Sequence, residues 1–438
     1  MGEYSAIGKL TQRKANGSII ESGDDLVIDI KELIDSSRPL FSPKCCIYKV
    51  PDHFRKLNED AYTPRIISIG PFHHGNTKLQ TMGKYKVRYL MNFMERTNTE
   101  LENLVSIIRE REESVRASYA EGTEVISSND FVKMILLDAT FIIEYFLKNR
   151  FPKQWTAEDE IVIKPWLTAR MQLDFLLLEN QLPFFIIEKL YDFVLAINTI
   201  YPSFIEVTFS YFSFFNTQDH RSSGSEFPKI KHFVDLLRTF YLPPPGRDLS
   251  ERKDESKVEE IYCASKLAEA GLTFKKSTSK CHLDLKYADG VLEIPRFTLD
   301  NATELYARNL MALEQCHYPR EAYITDYFFL LDFLIDTGKD VGLLARKKIL
   351  VNGLGDDNAT FVNNLGTNVE YSSMNSDYIR LCKDLVDFYD NPWHRWKAIM
   401  RRDYLSTPWR IASTAAAIIL LVLTLVQAVC SIIQVLPK

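Results

Sequence analysis

The chain has 438 residues, 46% of them hydrophobic and 25% charged, with a formal net charge of −5 and a pI near 6.0. That composition suits a protein with a sizeable core and room for two or three domains, and its acidic balance gives no electrostatic reason to expect nucleic acid as a partner. The 7 cysteines are scattered with no CxxC pair, and an odd number in a chain large enough to fold without disulfides is expected as reduced thiols.

The N-terminus has no apolar run of signal-peptide length. Positions 1–40 are polar apart from a short apolar pattern between Leu26 and Leu33, and read as a loosely ordered arm ahead of a cytosolic helical body at 41–402. Between Cys45 and Gly75, Pro51, Pro64 and Pro71 disfavour long helices and favour extended segments and turns. Leu79, Met82, Tyr85, Tyr89, Leu90, Phe93 and Met94 then recur at helical spacing, which predicts one long amphipathic helix over 78–109. Residues 131–148 are apolar on nearly every side and predict a central helix. Its expected partner is 169–194, kinked or restarted at Pro183.

Asp138, Glu144, Asp174 and Glu179 interrupt these apolar surfaces, so those that are buried must be paired, capping or protonated. Glu144, Asp174 and Glu179 have a catalytic alternative, an acid/base group of the kind glycosidases use. Asp174 and Glu179, five residues apart, would lie on different faces of a helix. This favours structural carboxylates that cap or pair with Arg170, Lys189 or backbone amides. Asn180 and Gln181, just ahead of Pro183, are expected to satisfy backbone groups exposed at the kink.

Residues 201–215 carry seven Phe or Tyr and form a buried strand or helix, which periodicity does not separate. A helix over 229–241 stops at the prolines 243–245, and one over 259–270 stops at Gly271. Residues 281–300 alternate about a turn at Ala288, Asp289 and Gly290, the clearest hairpin in the chain. Helices are predicted at 303–316, 325–336, 341–347, near 359–368 and at 378–402. The expected fold is mainly α: a multi-helix globular domain with one small β-hairpin, followed by a single C-terminal transmembrane helix.

That helix rests on 411–436, which hold no formal charge and are rich in Leu, Ile and Val, among them Ile411, Leu420, Leu421, Leu425 and Leu436. At 1.5 Å per residue the run reaches about 39 Å, more than the roughly 30 Å hydrocarbon core of a bilayer. The competing reading is a buried core helix, although soluble helices seldom stay uncharged for so long. Ahead of it, 391–410 form a juxtamembrane segment with Trp393, Trp396 and Trp409 for the headgroup layer. Arg395, Lys397, Arg401, Arg402 and Arg410 are placed to meet anionic lipid. Positive charge beside a span stays on the cytoplasmic side, so the expectation is a single-pass, tail-anchored protein with a cytosolic body and lipid as a partner. The plasma membrane is preferred over endomembranes. The sequons at Asn16, Asn301 and Asn358 are expected to stay unmodified.

No phosphate loop, G-x-S-x-G, HExxH or dinucleotide fingerprint is present, and no cofactor is expected. The doublets Cys45-Cys46 and His73-His74 could supply a tetrahedral zinc set. Neighbours on an extended chain point oppositely, however, and buried thiols with hydrogen-bonded histidines are the simpler reading. His317 and His394 read as helix-end and interface residues.

Seven collinear blocks carry a resemblance. They are IYKVPDHFRKLN at 47–58, YTPRIISIGPFHHG at 62–75, LLLENQLPFF at 176–185, GVLEIPRFTLD at 290–300, NLMALEQC at 309–316, YITDYFFLLDFLI at 323–335 and NPWHRWKAIMRRDYLSTPW at 391–409. Together they resemble the plant-specific domain of unknown function family 247 over about 45–436. Arg296 departs from it where relatives often carry a second proline, which implies a looser strand end. The resemblance implies helical proteins held at a membrane by the C-terminal helix, with some grass members associated with pollen-side self-incompatibility. It implies no catalytic residues to carry over. The expected function is a non-enzymatic recognition, signalling or scaffold module that binds another protein. The alternative is a membrane-associated, hydrolase-like enzyme acting on lipid or carbohydrate.

Overall fold

The structure is a computed structural model that describes residues 26–28, 30–31, 42–155, 159, 164–197, 200–222, 228–244, 249–250, 252, 261–300, 302–353, 362–363, 365, 373–400 and 408–435. The chain divides into a small unit, Met1–Cys45, and a large one, Cys46–Lys438. In the small unit the described residues are helical at 26–28 and 30–31 and form a turn before Cys45, whose amide bonds the carbonyl of Ser42 at 2.8 Å.

In the large unit helix α1 (Thr81–Thr97) ends at Asn98, whose φ of 47° lies in the left-handed region. Helix α2 (Leu101–Arg116) begins just beyond. The helix predicted over 78–109 is therefore two, because Asn tolerates the left-handed conformation that stops a helix. The break lets both segments pack on α3 (Ser128–Arg150). Ser127 starts α3 by accepting the Asp130 amide at 3.2 Å. From Phe131 to Lys148 nearly every α3 side chain is buried, as expected of an all-round apolar helix.

The region 169–194 also forms two helices, α4 (Pro165–Asp174) and α5 (Phe184–Ile197), with a non-helical link at 175–183. Helix α6 (Phe204–Tyr211) settles the aromatic run as helix. Its start is a capping box between Ser203 and Glu206, a polar signal that periodicity does not register. Phe146 of α3 gathers the aromatic core. Its ring stacks on Tyr211 at 4.1 Å and meets Phe233 at 5.4 Å and Phe175 at 5.5 Å. Such offset and edge-on contacts add stability beyond area burial.

Beyond α7 (Phe233–Tyr241) and α8 (Ala264–Glu269) comes a three-stranded sheet in the order β1-β3-β2, from β1 (Thr273–Lys276), β2 (Lys286–Ala288) and β3 (Val291–Ile294). The expected hairpin is the antiparallel β2-β3 pair, with Tyr287 opposite Leu292. Its turn residues Asp289 and Gly290 both have positive φ, 47° and 74°, the geometry that favours Asp-Gly in two-residue turns. Two parallel pairings accompany it: β1 runs beside β3, and β4 (Phe297–Leu299) pairs with β5 (Leu350–Asn352). Strands of three or four residues leave too little alternation to read from sequence.

Helices α9 (Thr303–His317), α10 (Tyr323–Leu334) and α11 (Gly338–Arg346) lie between β4 and β5. The helix predicted at 378–402 breaks into α12 (Ser376–Asp390) and α13 (Pro392–Ile399), since Pro392 has no N–H to continue the ladder. Near 359–368, residues 362–363 and 365 are helical and the rest lie outside the described residues. The final helix is α14 (Pro408–Val435).

Candidate functional site

Helix α14 is long and apolar enough to cross a membrane over Ile411–Ser431, and none of that segment is buried. Leu420, Leu421 and Leu425 are each about two-thirds exposed and Ile411 is exposed too. A helix meets every interior backbone bond within itself, as lipid requires. The Thr424 hydroxyl likewise donates to the Leu420 carbonyl at 2.7 Å. Trp393, Trp396 and Trp409 are exposed, and the first two rings meet edge to face at 5.9 Å. Arg410 lies within α14. Arg401, Arg402, Leu436 and the three sequon asparagines lie outside the described residues.

Two of the four core carboxylates, Asp174 and Asp138, act on a single stretch of backbone, 65–70. Asp174 accepts the amides of Arg65, Ile66 and Ile67, the last two at 2.7 and 2.9 Å. Asn180 accepts the Ile69 amide at 2.6 Å and donates to the Ile67 carbonyl at 3.0 Å. Asp138 accepts the Gly70 amide at 2.8 Å while pairing with Lys86. A segment that pairs with no strand among the described residues thus has backbone amides satisfied by side chains. Gln181 bonds the Phe175 and Leu177 carbonyls, both at 2.7 Å, and the Phe233 amide at 2.9 Å. The backbone-satisfying role expected of Asn180 and Gln181 is what the structure shows.

Of the expected partners, Arg170 acts on Asp174 through its charge, which favours the ionised carboxylate, whereas Lys189 is engaged elsewhere. Lys189 pairs with Asp192, while Glu144 pairs with Arg96 and Glu179 with Arg55, residues remote in sequence that only folding brings near. Burial alone would lift the Glu179 carboxyl, yet His73, Arg55 and the Val50 amide outweigh it and hold it below its ordinary value. For Asp174 and Asp138 burial wins and both carboxyls are raised. Glu314 of α9 and Asp326 of α10, unremarked in the sequence, behave likewise: Glu314 accepts from Arg238 and the Thr325 amide, and Asp326 from Arg252 and the Asn375 amide.

The doublets do not converge on a metal: among the described residues no three His, Cys, Asp or Glu side chains form a metal-holding group. His73 Nε2 lies 3.2 Å from Glu179, and the carbonyl of Cys46 accepts from His232 Nε2 at 2.9 Å. All seven cysteines are free thiols. His317 Nδ1 meets the Tyr48 hydroxyl at 2.8 Å and His394 stacks on Phe388, both as interface residues.

A cavity of about 680 Å³ opens between the β1–β2 loop, the β3–β4 junction and α9–α10. None of the four core carboxylates or the doublet residues lines it. Its walls are aromatic, with Tyr241 and His282 rings 5.4 Å apart and His282 and Tyr327 rings 6.4 Å apart. Lys276, Lys280 and Arg296 stand at its edge. The signal for these cations, two lysines flanking the hydroxyl run at 277–279, lies in the sequence; that Arg296 joins them does not.

The profile of a family described as a plant protein of unknown function, DUF247, matches residues 47–423. A UPF0481 protein of Arabidopsis thaliana is 29% identical over 421 residues, which cover 89% of this chain and 87% of the relative. A putative UPF0481 protein of the same plant is 21% identical over 501 residues, with 92% and 93% covered. No solved structure matches. The chain belongs to DUF247, a plant protein family of unknown function.

Proposed function

We propose that this protein is a membrane-anchored, non-enzymatic recognition or scaffold module whose helical body faces the cytosol and binds a protein partner. The observation that carries the reading is α14, whose apolar run over Ile411–Ser431 is left wholly unburied by the rest of the chain. Such a surface is unfavourable in water at about 25 cal/mol per Å² and favourable in lipid. The basic residues at 395, 397, 401, 402 and 410 support a cytosolic body, and the exposed tryptophans support a place for α13 at the headgroup layer. The engagement of Asp138, Glu144, Asp174 and Glu179 in core bonds favours recognition over hydrolysis, since none stands free to act as acid or base.

Protease protection on sealed vesicles, with tags at both ends of the full chain, tests the orientation. The N-terminal tag should be digested from the cytosolic side while the C-terminal tag survives. Proximity labelling from the full chain, against one ending at Trp409, should return a reproducible partner set. The same bystanders from both would defeat the recognition reading.

A further inference from the structure

The cavity beside the mixed sheet has two chemical zones. At its inner wall, Tyr327 is 2% exposed, and neither its hydroxyl nor the buried Nδ1 of His282 has a hydrogen-bond partner among the described residues. Buried polar atoms of this kind are ordinarily satisfied, and both residues line the open space. Burial pushes the His282 imidazole down to about 4, so the ring is neutral at physiological pH and offers one donor and one acceptor. The Tyr327 phenol is also held neutral by burial. Neither group calls for a charged ligand atom; each can bond a neutral polar one.

The mouth is different. Lys276, Lys280 and Arg296 line it, and Lys276 and Arg296 form no ion pair among the described residues. Lys280 pairs with Asp219. The lining carboxylate is Asp300, whose Oδ1 accepts the amides of Ala302 and Thr303 and the Thr303 hydroxyl at 2.9 to 3.0 Å. It is engaged in starting α9. The mouth is therefore cationic while the wall is aromatic and neutral.

We propose that this cavity binds one small anionic ring compound, its planar body between the aromatic walls and its carboxylate or phosphate at Lys276 and Arg296. The volume lies within the range of small-molecule sites. Guanidinium and ammonium groups form the strongest hydrogen bonds with anionic oxygens, and aromatic walls contribute most to a flat apolar body. The site is distinct from the membrane anchor and does not rest on it.

The test is calorimetric titration of the full chain in nanodiscs, with empty nanodiscs subtracted. The probes are 2-naphthoate, its neutral analogue 2-naphthylmethanol, and phenyl phosphate. At least one of the two anions should bind saturably at one per chain, at least about fivefold tighter than the alcohol, and more weakly as salt rises. The pair Lys276→Ala and Arg296→Ala should weaken the anion about fivefold and leave the alcohol unchanged. Tyr327→Phe, which removes one hydroxyl without altering ring volume, should weaken anion and alcohol together. Thermal melting checks that each variant is folded. Preference for phenyl phosphate over naphthoate assigns a phosphate and supports the proposal. Absence of saturable anion binding, affinity of both anions no greater than that of the alcohol, or a folded Lys276/Arg296 variant that binds as the parent does overturns it.

Discussion

Arg96 of α1 holds Glu144 of α3 by two bonds, Nε to Oε1 at 2.6 Å and Nη2 to Oε2 at 3.0 Å, with the carboxylate wholly buried. The pair ties the two helices most extensively packed on one another, and Arg96 also donates to the Tyr201 hydroxyl at 3.0 Å. Truncating one member leaves a buried charge uncompensated, whereas replacing both with apolar groups removes the charges together. Arg96→Ala should therefore destabilise the protein by about 3–5 kcal/mol. The double change Arg96→Met with Glu144→Leu should cost less than Arg96→Ala alone. Urea unfolding of the two variants measures the order.

Gly70 has φ of +73°, and a Cβ built there would stand 2.6 Å from the Gln181 carbonyl oxygen and 3.1 Å from the Tyr119 hydroxyl. The oxygen is backbone, and it accepts the Tyr119 hydroxyl at 3.0 Å, so it has little room to yield. Gly70→Ala combines left-handed strain with a collision. A loss of about 2 kcal/mol or more is expected, read as a lower melting temperature. At Gly75, with φ of +82° but nothing within 4 Å, the same change should cost less.

His232 starts α7: its Nδ1 accepts the Asp235 amide at 3.3 Å and its Nε2 donates to the Cys46 carbonyl. Burial pushes the imidazole down to about 4, against about 6.5 in an unfolded chain. As pH falls from 6.5 towards 4 the unfolded state takes up a proton that the folded state refuses. Stability from this group is therefore complete above pH 6.5 and declines through that window by on the order of 3 kcal/mol. His282 and His317 are also held near 4, chiefly by burial, and steepen the same decline. Denaturant unfolding at a series of pH values should show it. His232→Asn, which keeps a capping side chain, should flatten the slope by about one proton.

Leu421 lies near the middle of Ile411–Ser431 and is 69% exposed. Under the anchoring proposal, Leu421→Arg adds about 2.5–3.5 kcal/mol to insertion. The variant should move towards the alkali-extractable fraction of membranes, while Leu421→Ile stays with the pellet. Equal retention of both would count against the helix as a span.

The sequence by itself determined the mainly helical class, the central α3, the Asp-Gly hairpin and the exposed apolar α14. Each follows from local pattern: periodicity, a turn that needs positive φ, or an uncharged run longer than a bilayer core is thick. The roles of Asn180 and Gln181 were legible too, because a helix interrupted before Pro183 must leave backbone groups that short polar side chains can reach. Where the pattern misled, a local stop was overridden or missed: Asn98 divides a continuous apolar stripe, and Pro392 divides another.

Only the tertiary structure decided which charge meets which. Arg55 lies 124 residues from Glu179 and Arg252 lies 74 from Asp326, and no spacing rule joins such positions. It also decided that Lys276, Arg296, His282 and Tyr327 share one cavity, since they come from β1, the β3–β4 junction, the β1–β2 loop and α10. Side-chain pattern records which face is buried; it holds no record of what is packed against that face, because that depends on contacts between segments far apart in the chain.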